Sequence, residues 1–175
     1  LLEKGYEVFG TIKRNSVSEN QTARLDSVYK EIGENLIYAD LCDQSSLISA
    51  LHKSRPTEVY NLAAQSHVRI SFDQPVYTAL STGLGTLNLL EGIRTLDPTI
   101  KMYQASSSEM FGNNIDSDGY QRETTPLSPV SPYGCAKVFS YNICRNYRQS
   151  YNLFISNGIL FNHESPRRGS NFVTS

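Results

Sequence analysis

The sequence predicts an α/β fold built on a doubly wound, mostly parallel sheet, and three observations carry that reading. Short apolar runs alternate along the chain with longer segments of helical period. A polar cluster follows each apolar run, at 13–16, 40–43, 63–67, 106–109 and 161–168. Strands joined by helical crossovers run parallel, so these clusters converge on one sheet edge, where open α/β sheets bind ligands.

Tyr6 to Ile12 reads as the first strand and runs straight into Lys13, Arg14, Asn15 and Ser16. A polar loop to about Thr22 precedes a short helix to about Ile32. Asn35 to Ala39 is the second strand, and Asp43 then caps a helix through Leu47, Ile48 and Leu51. Pro56 breaks the chain before a third strand over Glu58 to Leu62. After the loop 63–67, a long helix is expected from about Pro75 to Leu96, with Leu80, Leu84, Leu87, Leu90 and Ile93 at a helical period. The fourth strand spans 100–104, with Ser106, Ser107, Ser108 and Glu109 just past its end. A Gly/Asp/Asn-rich loop over 112–130 leads to a helix reaching about Tyr151, and a last strand covers Leu153 to Leu160. Leu1 to Val8 reads as a helix's last turn, ended by Gly5, running into a strand. The expectation is one partial domain over 1–175, incomplete at both ends, with a substrate-binding region starting near 161.

A chain of 175 residues is long enough to bury a core, and a net charge of −1 argues against a polybasic nucleic-acid or membrane surface. No apolar run approaches the ~20 residues of a membrane span. The three cysteines, Cys42, Cys135 and Cys144, have no metal-ligand spacing and suit reduced thiols in the cytoplasm. No metal site is expected.

The chemistry concentrates between Ser106 and Lys137. Ser131 is a good N-cap, and Pro132 at the first helical position has no N–H to lose. Tyr133 and Lys137 then share one helix face, one turn apart. A phenol titrates near ~10, and an adjacent ammonium favours the phenolate, so the pair can make a general base near neutral pH. Spacing alone leaves Glu109 open between a solvated loop carboxylate and a catalytic one. His67 and His163 are open between structural and binding roles, and His52 reads as structural.

The runs NLAAQSH at 61–67, YQASSSE at 103–109, ETTP at 123–126, SPYGCAK at 131–137 and NGILFNHESPRRG at 157–169 make the chain similar to a known group. It resembles the GDP-mannose 4,6-dehydratase family of the extended short-chain dehydrogenase/reductase superfamily, which has a Rossmann-type fold. The resemblance covers essentially the whole chain; the family's Gly-rich first turn and its C-terminal part have no counterpart in it. It implies conversion of GDP-mannose to GDP-4-dehydro-6-deoxy-mannose, a precursor in GDP-fucose biosynthesis. Catalysis is implied for Ser107, Glu109, Tyr133 and Lys137, and substrate contact for Ser108 and Asn162. NADP contact is implied for Arg14, Asn15, Ser16, Asp40, Leu41, Leu62, Ala63, Ala64, Gln65, Ser66, Tyr77, Lys137, His163 and Arg168. The family usually has threonine at the position of Ser107. The loop from Ser16 to Arg24 resembles one that reaches a neighbouring subunit's cofactor, so a homo-oligomer (dimer or tetramer) is implied. Independently of the resemblance, Lys13 and Arg14 stand where an acidic residue would favour NAD, which suits NADP.

Two other readings remain at this level. One is a different nucleotide-sugar dehydratase or epimerase on the same scaffold; the other is a non-catalytic nucleotide-sugar-binding subunit, which has no use for a Ser/Glu/Tyr/Lys set.

Overall fold

The computed structural model describes residues 1–14, 22–163 and 165. Among them five strands form: β1 (Gly10–Ile12), β2 (Leu36–Tyr38), β3 (Glu58–Asn61), β4 (Lys101–Ser107) and β5 (Ile155–Leu160). Every pairing is parallel, as expected for strands linked by helical crossovers. The pairing divides into two sheets, β1-β2 and β3-β4-β5, rather than one continuous sheet.

Strand lengths follow their partners. β1 starts at Gly10 rather than Tyr6 because its ladder spans only Gly10↔Leu36 to Ile12↔Tyr38. β4 outlasts its expected end because β5 keeps pairing with it through Ser106↔Ile159 and Ser107↔Leu160. Ser106 and Ser107 therefore lie in the strand, and Ser107 is its last residue. The last strand starts at Ile155, later than the apolar run begins.

Six α-helical segments accompany the strands: α1 (Tyr29–Ile32), α2 (Gln44–Ser54), α3 (Val68–Asp73), α4 (Pro75–Thr78), α5 (Gly85–Leu96) and α6 (Pro132–Tyr151). The expected helix before Ile32 reduces to a 3-10 turn at Ala23–Leu25 and the single turn of α1. Asp43 caps α2 as expected, its carboxylate accepting from the Ser45 and Ser46 N–H groups. α3 went unforeseen; its N-cap is His67, whose ring Nδ1 accepts from Ile70 N at 3.4 Å.

The long helix is present but not uniform. A π-helical stretch, Ala79–Leu84, joins α4 to α5. It re-phases the apolar face: Leu89, Leu90 and Ile93 are buried, while Leu80 and Leu84 are 44% and 42% exposed. The buried positions of the first half are small or hydroxylated, namely Thr78, Ser81, Thr82 and Gly83. α6 packs there, close enough that the Ser140 hydroxyl donates to the Thr82 carbonyl at 2.6 Å. The apolar core gathers Leu47 and Leu51 of α2, Leu89, Leu90 and Ile93 of α5, Met102 of β4, Ile155 of β5, and Cys144 and Tyr147 of α6. Each fully buried leucine or isoleucine stabilises the fold by roughly 1.5–3 kcal/mol.

Candidate active site

Two elements built from distant sequence meet at the C-terminal end of β4. The chain leaves Ser107 into a 3-10 turn, Ser108–Met110, and the Ser107 hydroxyl accepts from Glu109 N at 3.2 Å. Gly112 follows with φ +58, and any Cβ there would run into the Ser128 carbonyl. The other end of the 112–130 loop is pinned by Ser128 N donating to the Met110 carbonyl at 3.0 Å. Inside that loop Arg122 forks onto Asp116 and Asp118. The turn bearing Glu109 is thus fixed from both sides.

α6 faces this turn. The Ser131 hydroxyl accepts from Gly134 N at 3.0 Å, and Pro132 occupies the first turn, as the sequence predicts. A Cβ on Gly134 would lie 2.8 Å from the Glu109 carbonyl, so glycine permits this approach. Tyr133 and Lys137 are both buried, with the Lys137 ammonium 5.7 Å from the centre of the Tyr133 ring. Lys137 Nζ donates to the Ala105 carbonyl at 2.7 Å. Burial pushes the Lys137 amine down to about 8. Burial also raises the Tyr133 phenol; the Ser107 hydroxyl beside it opposes that rise, and the Glu109 charge adds to it. The spacing suggested a phenol favoured toward the phenolate by the adjacent ammonium, and here the phenol is instead raised by burial. The ammonium is engaged by a backbone carbonyl, and burial disfavours the phenolate.

A second cluster lies at the ends of β1 and β2. Lys13 bridges to the Asp40 carboxylate at 3.1 Å and donates to the Tyr77 hydroxyl at 3.0 Å. Those two hydrogen bonds raise the Lys13 amine, while Cys42 N and Lys13 hold the Asp40 carboxyl below its usual value against the opposing effect of burial. The Arg14 guanidinium lies 4.8 Å from the centre of the Tyr38 ring. Leu41 is seated against α5, where Asn88 donates to its carbonyl at 2.8 Å and a Cβ on Gly85 would meet the Leu41 Cβ at 2.6 Å.

The loop after β3 lies between these clusters in sequence. Leu62, Ala63 and Ser66 are exposed, while Ala64 and Gln65 are half-buried. Gln65 is committed to its own loop: its N–H donates to Thr82 Oγ1, and its amide donates to Thr78 Oγ1 and the His67 carbonyl. Ser108 is half-buried beside Glu109, and Asn162 and His163 are exposed beyond β5, where His163 Nδ1 lies 2.8 Å from the Phe161 carbonyl. Asn15, Ser16 and Arg168 lie outside the described residues.

The geometry thus gathers Ser107, Glu109, Tyr133 and Lys137 in one place, and Lys13, Asp40 and Tyr77 in another, with Arg14 over Tyr38 nearby. Tyr38 and the Ala105 carbonyl were missed by sequence reasoning. Strand register against Ile12 would have revealed Tyr38, while the carbonyl leaves no mark in a side-chain pattern. Among the described residues no three His, Cys, Asp or Glu side chains gather as a metal site, and no helix is long and apolar enough to cross a membrane.

Comparison with known proteins places the chain in a family and a fold. The family model described as GDP-mannose 4,6 dehydratase matches residues 1–175. The GDP-mannose 4,6 dehydratase of Cricetulus griseus is 52% identical over 182 residues, covering 99% of this chain and 48% of that protein. The Vibrio cholerae GDP-mannose 4,6-dehydratase is 52% identical over 181 residues, again 99% of this chain and 48% of that protein. The chain therefore spans about half the length of the curated relatives it matches. Among solved structures, a Thermus thermophilus UDP-glucose 4-epimerase in complex with NAD superposes with a TM-score of 0.74 at 29% identity, covering 89% of this chain and 47% of that one. A dTDP-glucose 4,6-dehydratase from Streptomyces venezuelae shares the fold, with a TM-score of 0.71 at 24% identity over 87% of this chain and 46% of that one. With its whole length matched by the family model and half its residues identical to curated members, the chain belongs to the GDP-mannose 4,6 dehydratase family.

Proposed function

We propose that the protein carrying this chain converts GDP-mannose to GDP-4-dehydro-6-deoxy-mannose. One observation supports this reading above the others: a buried Tyr133 and Lys137 on α6 face the Ser107 and Glu109 turn at the end of β4. A simple reductase needs the first pair only. An acidic residue beside it is what elimination across C5 and C6 requires.

In the proposed reaction Tyr133 takes the proton from O4, while Ser107 donates a hydrogen bond to O4 as charge develops there. Glu109 removes the C5 proton, made acidic by the C4 ketone. The departing C6 hydroxyl is protonated by Glu109 or by a water held by Ser108. Lys137 steadies the phenolate once it leaves the Ala105 carbonyl.

The cofactor is proposed to be NADP, and the residues present fit it. Arg14 lies over the Tyr38 ring just past the end of β1, a cationic group suited to an adenosine phosphate, and Asp40 is already committed to Lys13. When bound, NADP would supply reversible hydride chemistry, so that oxidation at C4 and reduction at C6 would leave loss of water as the net change. The family placement, with relatives named as GDP-mannose dehydratases, supports GDP-mannose as substrate.

We further propose a homo-oligomer in the cytoplasm. Val76, Leu80, Leu84 and Phe139 are exposed at 71%, 44%, 42% and 41%, and an apolar hollow of about 320 Å³ lies among Pro75, Leu84, Cys135 and Phe139. A second copy of the same helical face would cover such a surface. The three cysteines are unpaired thiols, which suits a reducing compartment.

The test is the full-length protein incubated with NADP and GDP-mannose, with the product followed by mass spectrometry. Loss of one water without accumulation of NADPH is the expected result. An unchanged mass overturns the assignment to GDP-mannose.

A further inference from the structure

The three strands of the larger sheet carry an amide at one shared level: Asn61, Gln104 and Asn157 are register partners across β3, β4 and β5. Core positions of a parallel sheet are ordinarily apolar, and burying an amide is unfavourable unless its hydrogen bonds are made. Asn61 and Gln104 are nevertheless 4% and 1% exposed. Their bonds form a directed chain. Asn61 Nδ2 donates to Gln104 Oε1 at 2.8 Å, which fixes the flip of the Gln104 amide. Gln104 Nε2 then donates to the Ala105 carbonyl at 3.3 Å. That carbonyl is the one to which Lys137 Nζ is bonded at 2.7 Å. Asn157 has a different task, accepting from Ser106 and donating to the Tyr141 carbonyl of α6.

We propose that Gln104, oriented by Asn61, is a positioning residue for Lys137. By sharing the Ala105 carbonyl it keeps the lysine's anchor weak enough to be released to the reacting groups. Two donors on one oxygen compete, and the positive end of the Gln104 N–H dipole lies beside the ammonium. With Gln104 gone, the carbonyl serves the ammonium alone, so the charged lysine is held more firmly and further from use. Neither amide touches substrate or cofactor in this account. This inference rests on the reading of Lys137 as part of the reacting group.

The test uses the full-length protein and two variants, Gln104→Met, which keeps length and burial, and Asn61→Leu, which leaves Gln104 free to turn. The first readout is independent of activity. The titration of Lys137 is followed by NMR with lysine carbons labelled, its signal assigned by loss in Lys137→Met. The expected result is a midpoint higher by about half a pH unit or more in Gln104→Met, a smaller rise in Asn61→Leu, and no further rise in the double variant. In turnover, kcat should fall about tenfold for Gln104→Met with KM unchanged. If both variants titrate and turn over as the parent does and only their melting temperatures drop, the amides are structural and the proposal is overturned. Should Gln104→Met fail to fold, the Asn61→Leu midpoint alone decides. A parent protein that dehydrates nothing would sink the functional reading instead, and the NMR titration would still test the coupling.

Discussion

Lys137 is 3% exposed, and its ammonium donates to a neutral carbonyl. Its ordinary value of 10.5 falls to about 8 in the fold, so burial of the charge works against stability. The sign follows from proton counts: between those two values the unfolded chain holds more protons, so stability rises with pH there. The penalty is fully present below about 8 and disappears as pH climbs through 10.5. It is on the order of 3 kcal/mol. Lys137→Met in the full-length protein should therefore melt several degrees higher than the parent near neutral pH, with the gap closing toward pH 10.5, while turnover is lost. Equal melting temperatures across that range would contradict the assignment of the lysine as a destabilising charge. Glu109 invites a chemical test at the same scale. Glu109→Gln should lower dehydration by about 10²–10⁴-fold while C4 oxidation still proceeds, so reduced nicotinamide absorbance accumulates. Ser107→Thr restores the residue the family usually carries and should change kcat by less than about tenfold. Spacing alone left Glu109 open, whereas Tyr133 and Lys137 were legible as a pair because the Ser131 cap and Pro132 fix the helix start and four-residue spacing then puts both on one face. The Ala105 carbonyl was not, because backbone groups are anonymous in a sequence and only the docking of α6 on β4 selects this one.

The elements divide by whether their cause is local. α2 and α6 were readable from their caps, since Asp43 and Ser131 act on N–H groups two or three residues away. The π-helical stretch was not: it lies where α6 packs against the small residues Ser81, Thr82 and Gly83, with Leu80 and Leu84 turned outward, and that contact is remote in sequence. The leucine spacing was real; the face it marks in the first half of that helix is not the core. Gly85 shows how tightly this helix is seated. Gly85→Ala would set a Cβ 2.6 Å from the Leu41 Cβ, and the clash should cost about 1–3 kcal/mol in denaturant unfolding. Because the family resemblance implies NADP contact for Leu41, NADP affinity measured by calorimetry should fall in the same variant. Unchanged stability and unchanged affinity would mean that Leu41 moves aside freely.

At the scale of the whole molecule, the parallel order of strands followed from the alternation of elements, whereas the division into β1-β2 and β3-β4-β5 needed coordinates. Pairing between strands that are distant in sequence leaves no local trace. The exposed stripe of Val76, Leu80, Leu84 and Phe139 makes the prediction proper to this scale. Leu84→Glu in the full-length protein should shift it to a smaller species in sedimentation, because a carboxylate in an apolar interface is left unpaired. An unaltered mass would place the subunit contact elsewhere. The all-parallel pairing also has a kinetic consequence. No strand here can find its neighbour by closing a hairpin, and the groups that meet around Ala105 and Lys137 are 32 residues apart, while Ser140 reaches Thr82 across 58. Contacts so remote in sequence form late, after long loops have closed. The constellation of Ser107, Glu109, Tyr133 and Lys137 is therefore among the last features to appear during refolding, and regain of activity should trail regain of helical signal, with strand edges open to aggregation in the interval.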